Sequence, residues 1–78
     1  MKQDVYNTKD LYEASLLYSL GKKFVGLKQE NSFYWFQFED RDSCERIANS
    51  YWGKEISVNA KTYAEAIRTL KDRLFARA

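Results

Sequence analysis

Residues 24–39, FVGLKQENSFYWFQFE, decide the fold of this chain. The runs 24–30 and 33–39 are rich in the aromatic and aliphatic residues that strands favour. Asn31 and Ser32, which separate the two runs, are turn formers. The stretch therefore predicts an antiparallel β-hairpin with a two-residue link.

The second strand of this hairpin carries large rings on both of its faces. By the two-residue period of a strand, Tyr34, Phe36 and Phe38 share one face, with which Val25 and Leu27 of the first strand would pair. The opposite face is our candidate interaction face, and it contains Phe24, Lys28, Phe33 and Trp35. Monomers seldom leave large apolar patches bare, so we expect another helix or a second molecule to cover this face.

Upstream of the hairpin, a helix is predicted to start at a cap on Asn7 or Thr8 and to end at Gly21. Asn7 followed by Asp10 resembles a capping box. The apolar residues of this helix cover more than half of its circumference. The helix is therefore either sandwiched between other elements, or it shares a surface with a second molecule.

Downstream, Asp42 followed by Glu45 predicts a second capped helix over residues 42–52, ending at Gly53. Residues 55–58 alternate in polarity and could add one brief strand. Asn59 then caps a last helix. Its apolar stripe consists of Ala60, Tyr63, Ile67, Leu70 and Leu74.

These elements predict a small α+β domain that spans residues 1–78, in the order α-β-β-α-(short β)-α. Residues 1–6 are expected to form a flexible lead and residues 76–78 to fray. An antiparallel hairpin or a three-stranded sheet needs a helical layer to bury its apolar face. We therefore expect the sheet to pack against the helices.

Several short motifs resemble a family of short bacterial and phage proteins that is catalogued as a domain of unknown function. They are T-x-D-L-Y-x-A at residues 8–14, F-x-F-E-D at 36–40 and A-I-x-x-L-K at 66–71. The resemblance covers nearly the whole chain, from about residue 6 to about residue 75. It implies an intracellular protein of bacteria, phages or mobile elements, and it supplies no catalytic or binding residues.

Composition disfavours most enzyme classes. The 78 residues include no His and one Cys, and 13 Lys and Arg stand against 11 Asp and Glu. Without His the usual general base near neutral pH is missing, and Cys44 alone can build neither a zinc site nor an internal disulfide. We therefore expect a cytoplasmic protein that is not an enzyme, that needs no cofactor or metal, and that does not enter a membrane.

Two local features were weighed as chemical sites. Cys44 lies beside Glu45 and near Asp42, whose charges should raise the thiol pKa, so a small buried residue is favoured over a reactive thiol. The acidic residues 39, 40, 42 and 45 could hold Mg²⁺. We favour a role as helix caps instead, because Arg41 and Arg46 lie next to these acidic residues and offset their negative charge.

Two functional hypotheses remain. The first is a small interaction module, possibly a phage or mobile-element accessory or regulatory protein, that docks onto a protein partner or onto a second copy of itself. The alternative is salt-sensitive binding of single-stranded nucleic acid, with bases stacked on the hairpin rings. Its candidate cationic contacts are Lys22, Lys23, Lys61, Arg68, Lys71, Arg73 and Arg77.

Overall fold

The computed structural model describes residues 4–54 and 56–77, and of Arg77 it describes only the backbone. Within these residues the elements are β1 (Val5–Thr8), α1 (Leu11–Ser19), β2 (Phe24–Glu30), β3 (Phe33–Glu39), α2 (Arg41–Trp52) and α3 (Ala60–Arg77). The predicted hairpin is confirmed with its bounds and with its link at Asn31 and Ser32. The α+β class and the packing of a sheet against helices are also confirmed.

The sheet has three antiparallel strands in the order β1-β3-β2, so the aromatic β3 is its central strand. Its third strand is β1, in which Val5 pairs with Glu39 and Thr8 with Phe36. Val5 and Tyr6, which we expected in a flexible lead, thus belong to the sheet. The strand considered for residues 55–58 does not form over residues 56–58, and Glu55 lies outside the described residues.

Two helix caps differ from those predicted. Asp10, and not Asn7 or Thr8, caps α1, because Asn7 and Thr8 are held in β1. Asp40, and not Asp42, caps α2 by accepting from the Ser43 N–H at 3.4 Å. The predicted cap of α3 is confirmed, since Asn59 Oδ1 accepts from the Thr62 N–H at 3.0 Å.

The core lies between the sheet and a layer formed by all of the helices. Phe36 and Phe38 point into it from β3 and are almost completely buried. The helices meet them with Ala14 and Leu17 of α1, Cys44 of α2 and Leu70 of α3. Burying a side chain such as Phe or Leu contributes roughly 1.5–3 kcal/mol. Contacts with Phe36 and Phe38 therefore help to hold each helix against the sheet.

The helices fill the core to different extents. Residues 13–17 of α1 are all buried, because α1 contacts both other helices and the sheet. Of the two alternatives for α1, the structure thus shows the sandwiched one. The stripe of α3 is shifted from the prediction: Ala60 is exposed, whereas Ala66 is buried beside Leu70. Within the described residues, no helix is long and apolar enough to cross a lipid bilayer.

Candidate interaction surface

The face of the sheet that points away from the helices is the first candidate surface. On it Lys28 pairs with Trp35, and Glu30 pairs with Phe33. The Phe33 and Trp35 rings touch edge to face, with centroids 5.3 Å apart. The Trp35 indole N–H donates to Glu30 Oε1 at 2.7 Å. We call this surface, with Asn7, Gln37 and Glu39 at its margin, the outer face.

Phe24, which we predicted on the outer face, lies on the core side. A β-bulge interrupts the pairing between Phe24 and Gly26, so Phe24 stands opposite Phe38. Its ring lies 5.3 Å from that of Phe38, and the Arg73 guanidinium lies 5.0 Å from the Phe24 centroid. The extra residue of a bulge reverses which side the neighbouring side chains take. Phe24 is therefore a core residue, and Val25 is exposed in its place.

The charges on the outer face are balanced. The Lys9 ammonium lies 4.9 Å from the Phe33 ring centroid, and Lys28 is exposed opposite Trp35. Glu30 and Glu39 oppose these two cations. At the margin, the Gln37 amide donates to Asn7 Oδ1 at 3.1 Å. The rim around the rings is therefore polar and carries charges of both signs.

A shallow pocket of about 320 Å³ opens beside Phe33 at the hairpin end of the sheet. Lys9 and Leu11 line it on one side and Leu74 of α3 on another. Tyr34 and Phe36 of the core side also line it, so the pocket opens at the edge between the sheet and the helices. Such a pocket can take one anchoring side chain of a partner.

The candidate nucleic-acid contacts come from two parts of the chain. Lys22 pairs with Asp40 at 3.6 Å, and Arg73 lies over Phe24. Three of the candidate contacts, Lys61, Arg68 and Lys71, lie in α3 and are exposed to solvent. Lys23 is exposed ahead of β2, and the side chain of Arg77 lies outside the described residues. The described cations among these contacts thus belong to the segment ahead of β2 and to α3.

A second aromatic surface was missed by the sequence analysis. It joins Tyr12 of α1, Tyr51 and Trp52 of α2 and Tyr63 of α3, and we call it the Tyr–Trp cluster. The rings of Tyr51 and Trp52 lie 5.0 Å apart. The Tyr63 hydroxyl donates to the Tyr12 carbonyl at 3.1 Å. Three separate helices supply these residues, so no short sequence pattern could have shown them together.

The burial of Tyr63 raises the pKa of its hydroxyl, with further contributions from Tyr51 and from the Asp10 carboxylate. Two residues of the cluster remain open to solvent, because Trp52 is 60% exposed and Tyr12 is 55% exposed. The inner part of the cluster thus belongs to the fold. Its outer part is free to contact a ligand.

Glu13 lies beneath this cluster as a buried carboxylate, only 5% exposed. Its oxygens accept hydrogen bonds from the Tyr6 hydroxyl and, at 3.1 Å, from the Trp52 indole N–H. Burial and the bond to Glu13 raise the pKa of Tyr6 well above its ordinary value. Among the described ion pairs none includes Glu13. The carboxylate is therefore held by neutral donors.

The remaining reactive groups have structural surroundings. Cys44 is fully buried, and its thiol lies 3.4 Å from the Glu39 carbonyl, to which it donates. Burial raises the pKa of this thiol, which opposes thiolate formation. Asp40 forms an ion pair with Lys22, and Glu45 forms one with Arg41. Within the described residues, no group of three possible metal ligands comes together.

Comparison with known proteins adds a family. A family model described as Domain of unknown function (DUF5659) matches residues 3–76. The resemblance to an uncharacterised domain family is thus confirmed, while an origin in bacteria, phages or mobile elements stays a prediction. No curated protein and no solved structure matches.

Proposed function

The chain belongs to the family described as Domain of unknown function (DUF5659), and from that premise we propose that it is a small protein-interaction module without enzymatic activity. It docks a protein partner on the outer face of its sheet. In keeping with the lone Cys44, we place it in the cytoplasm. An accessory or regulatory role in a phage or mobile element fits a domain of this size.

The observation that carries the proposal is the Phe33–Trp35 ring pair on the sheet face opposite the helices. The helices contribute their core residues to the side of Phe36 and Phe38. Phe33 and Trp35 remain half-buried at the surface, where they already touch each other. Rings that are fixed before binding lose little conformational entropy when a partner covers them. They are thus suited to act as the centre of an interface.

The surroundings of the rings favour a protein as the partner. Glu30 accepts from the Trp35 indole, so it places a negative charge where a phosphate would have to approach. The amides of Asn7 and Gln37 can exchange hydrogen bonds with a peptide backbone or with polar side chains. The pocket beside Phe33 offers a site for one apolar anchor of that partner.

The absence of an enzymatic role is part of the proposal. Five of the described carboxylates have structural roles: Asp10 and Asp40 cap helices, Glu45 pairs with Arg41, and Glu13 and Glu30 accept hydrogen bonds from Tyr or Trp. Acid–base or covalent catalysis needs a nucleophile or base with a second group that activates it. Buried Cys44, with its raised pKa, does not provide such a pair.

A comparison of three immobilised proteins tests the proposal: the wild type, Trp35→Ala and the matched control Phe75→Ala. Phe75 is the most exposed large apolar residue, 67% accessible on α3 and away from the outer face. Extracts of the source cells are passed over each protein, and retained proteins are quantified by mass spectrometry. We expect a partner that the wild type and Phe75→Ala retain and that Trp35→Ala loses.

If every retained protein is held equally by Trp35→Ala, the outer face is not the docking surface. Circular dichroism and denaturant unfolding of the three proteins show that any loss of binding does not come from unfolding. Trp35 pairs with neighbours at the surface and not in the core, so we expect Trp35→Ala to stay folded.

Binding of single-stranded nucleic acid is the second candidate function. The observation in its favour is that Lys9 lies against Phe33 and Lys28 lies opposite Trp35. Cations next to flat rings can hold a phosphate while a base stacks. The solvent side of α3 offers Arg68 and Lys71 as a separate phosphate contact.

Titration with labelled single-stranded DNA and RNA at two salt concentrations distinguishes stacking on the outer face from binding along α3. Stacking on the outer face predicts Trp quenching that Lys28→Glu abolishes. Binding along α3 predicts instead that Arg68→Glu with Lys71→Glu abolishes it. The nucleic-acid hypothesis is rejected if no anisotropy change occurs at tens of micromolar, where non-specific basic binders usually respond.

A further inference from the structure

The Tyr–Trp cluster is a surface separate from the outer face. Trp52 is the last residue of α2, and its ring is exposed on the helical side of the molecule. Tyr51 packs against it at a steep angle of 71°, so an edge of one ring meets a face of the other. This arrangement restrains the Trp52 ring while it leaves more than half of the side chain accessible.

The hydrogen bond beneath Trp52 alters the electronic character of this ring. Its indole N–H donates to Glu13 Oε1, and that carboxylate is almost completely buried. Hydrogen-bonded groups polarise one another more strongly when they are shielded from water. A carboxylate at the indole nitrogen pushes electron density into the ring, and a negative ring face attracts cations.

Two further carboxylates act on tyrosines that neighbour Trp52 or Glu13. Burial is the main cause of the raised pKa of Tyr63, and the charge of Asp10 raises this pKa further. The charge of Glu45 likewise acts on Tyr6, next to Glu13. The cation near Glu45 is Arg41, which pairs with it at 3.5 Å. Among these carboxylates, Glu13 is the one that contacts Trp52 itself.

The chain does not use this ring for a cation of its own. The cation–ring contacts among the described residues are Lys9 on Phe33 and Arg73 on Phe24, and neither involves Trp52. The other indole provides an internal comparison. Trp35 also donates to a carboxylate, Glu30, but Lys28 stands opposite it in the sheet.

We propose that the Tyr–Trp cluster binds an arginine side chain of a partner protein, with the guanidinium over the exposed Trp52 ring and the Glu13 carboxylate at the edge of that ring, on its indole nitrogen. Arginine is favoured over lysine because its planar guanidinium is weakly hydrated and stacks on aromatic rings. The exposed Tyr12, whose carbonyl accepts from the Tyr63 hydroxyl, belongs to the same surface. This site is independent of the outer face.

The test uses the Trp35→Phe variant, in which Trp52 is the single fluorescent indole. The probe is the blocked peptide Gly-Arg-Gly-Gly-Arg-Gly, and its control replaces both arginines with citrulline, which has the same shape without the charge. We expect a saturable change in Trp52 fluorescence with the arginine peptide in the millimolar range. We expect binding about threefold or more weaker for the citrulline peptide.

Two further variants locate the site. Glu13→Gln keeps the acceptor oxygen but removes the charge, and it should weaken arginine binding about threefold without affecting citrulline binding. Because Glu13 is buried, Tyr12→Ala provides a second test at an exposed position, where we expect weakened binding in a fully folded protein. Phe75→Ala should bind like the parent variant.

Equal affinity for the two peptides, or no fluorescence change in the millimolar range, would overturn the proposal. A response to free guanidinium as strong as that to the peptide would also overturn it, since the site would then recognise a small ion. These readouts do not depend on the outer face, where Trp35 has been replaced. Failure here thus leaves the docking function untouched, and failure of that function leaves this site untouched.

Discussion

Gly26 controls which side chains of β2 reach the core. It has a φ of 153° at the bulge, a conformation that residues with a Cβ rarely adopt. The space around it is open, since a Cβ would meet no atom within 4 Å. The requirement for glycine is therefore a backbone requirement. It is this bulge that turns Phe24 toward Phe38 and away from the outer face.

We predict that Gly26→Ala lowers the free energy of unfolding by about 1–3 kcal/mol, because it forces a non-glycine residue into this region of φ and ψ. Equilibrium unfolding in urea measures the change. Gly53→Ala is the matched control, because Gly53 has an ordinary φ of −82° at the end of α2. It should change stability by less than about 1 kcal/mol. Equal effects at the two positions would contradict the backbone explanation.

At the scale of elements, the start of α1 shows how tertiary structure overrides a local signal. Asn7 and Thr8 are good capping residues, but their backbones pair with Gln37 and Phe36 in the sheet. The cap therefore moves to Asp10, whose Oδ1 accepts from the N–H groups of Tyr12 and Glu13 at 2.8 and 3.1 Å. This cap also orients Glu13, the carboxylate beneath Trp52.

We predict that Asp10→Ala lowers the free energy of unfolding by about 1 kcal/mol, since it leaves N–H groups of the first turn without an acceptor. Asp10→Asn keeps a capping oxygen and should retain most of the stability. Thermal and urea unfolding of both variants check this. If the Asn variant were as unstable as the Ala variant, charge rather than capping would be the cause.

At the scale of the whole molecule, two aromatic surfaces lie on opposite sides of one core. The outer face exposes Phe33 and Trp35 of the sheet, and the Tyr–Trp cluster exposes Tyr12 and Trp52 of the helices. In each case a Trp donates its indole N–H to a glutamate. The two surfaces thus share one core while different elements form them.

Stability at alkaline pH is a property of the whole molecule, because groups from several elements titrate together. Burial raises the pKa of Cys44 above its ordinary value of 9.0, and those of Tyr6 and Tyr63 above 10.0. As the pH rises past these ordinary values, the unfolded chain releases its protons first. The unfolded state is thereby favoured, so the stability present at neutral pH is lost progressively up to the folded-state pKa values.

We therefore predict that the free energy of unfolding falls steadily from about pH 9 upward. Urea unfolding over a pH series measures this slope. Tyr63→Phe removes one of the titrating hydroxyls, so its slope above pH 10 should be shallower than that of the wild type. A stability that stays flat through this range would show that these groups titrate alike in the folded and unfolded chain.

Much of the fold could be predicted because its signals are local. The hairpin bounds, the end of α2 at Gly53 and the cap at Asn59 follow from residue types within a few positions of one another. β1 could not be predicted, since Val5–Thr8 is too short to carry a pattern without its partner β3. The residues that share one face of the hairpin were predicted except for Phe24, because a bulge changes the two-residue period on which the assignment rested, whereas which of the two faces is exposed was left open.

The sequence by itself determined the hairpin, the α+β class and which aromatic residues of β3 share a face, while the packing of the helices decided which face is buried. Period and turn chemistry act over short distances, so the first three features are written in consecutive residues. Only the tertiary structure decided the third strand, the caps at Asp10 and Asp40, and the meeting of Tyr12, Trp52 and Tyr63 over Glu13. Those features depend on residues far apart in the chain, and packing of the helices on the sheet brings them together.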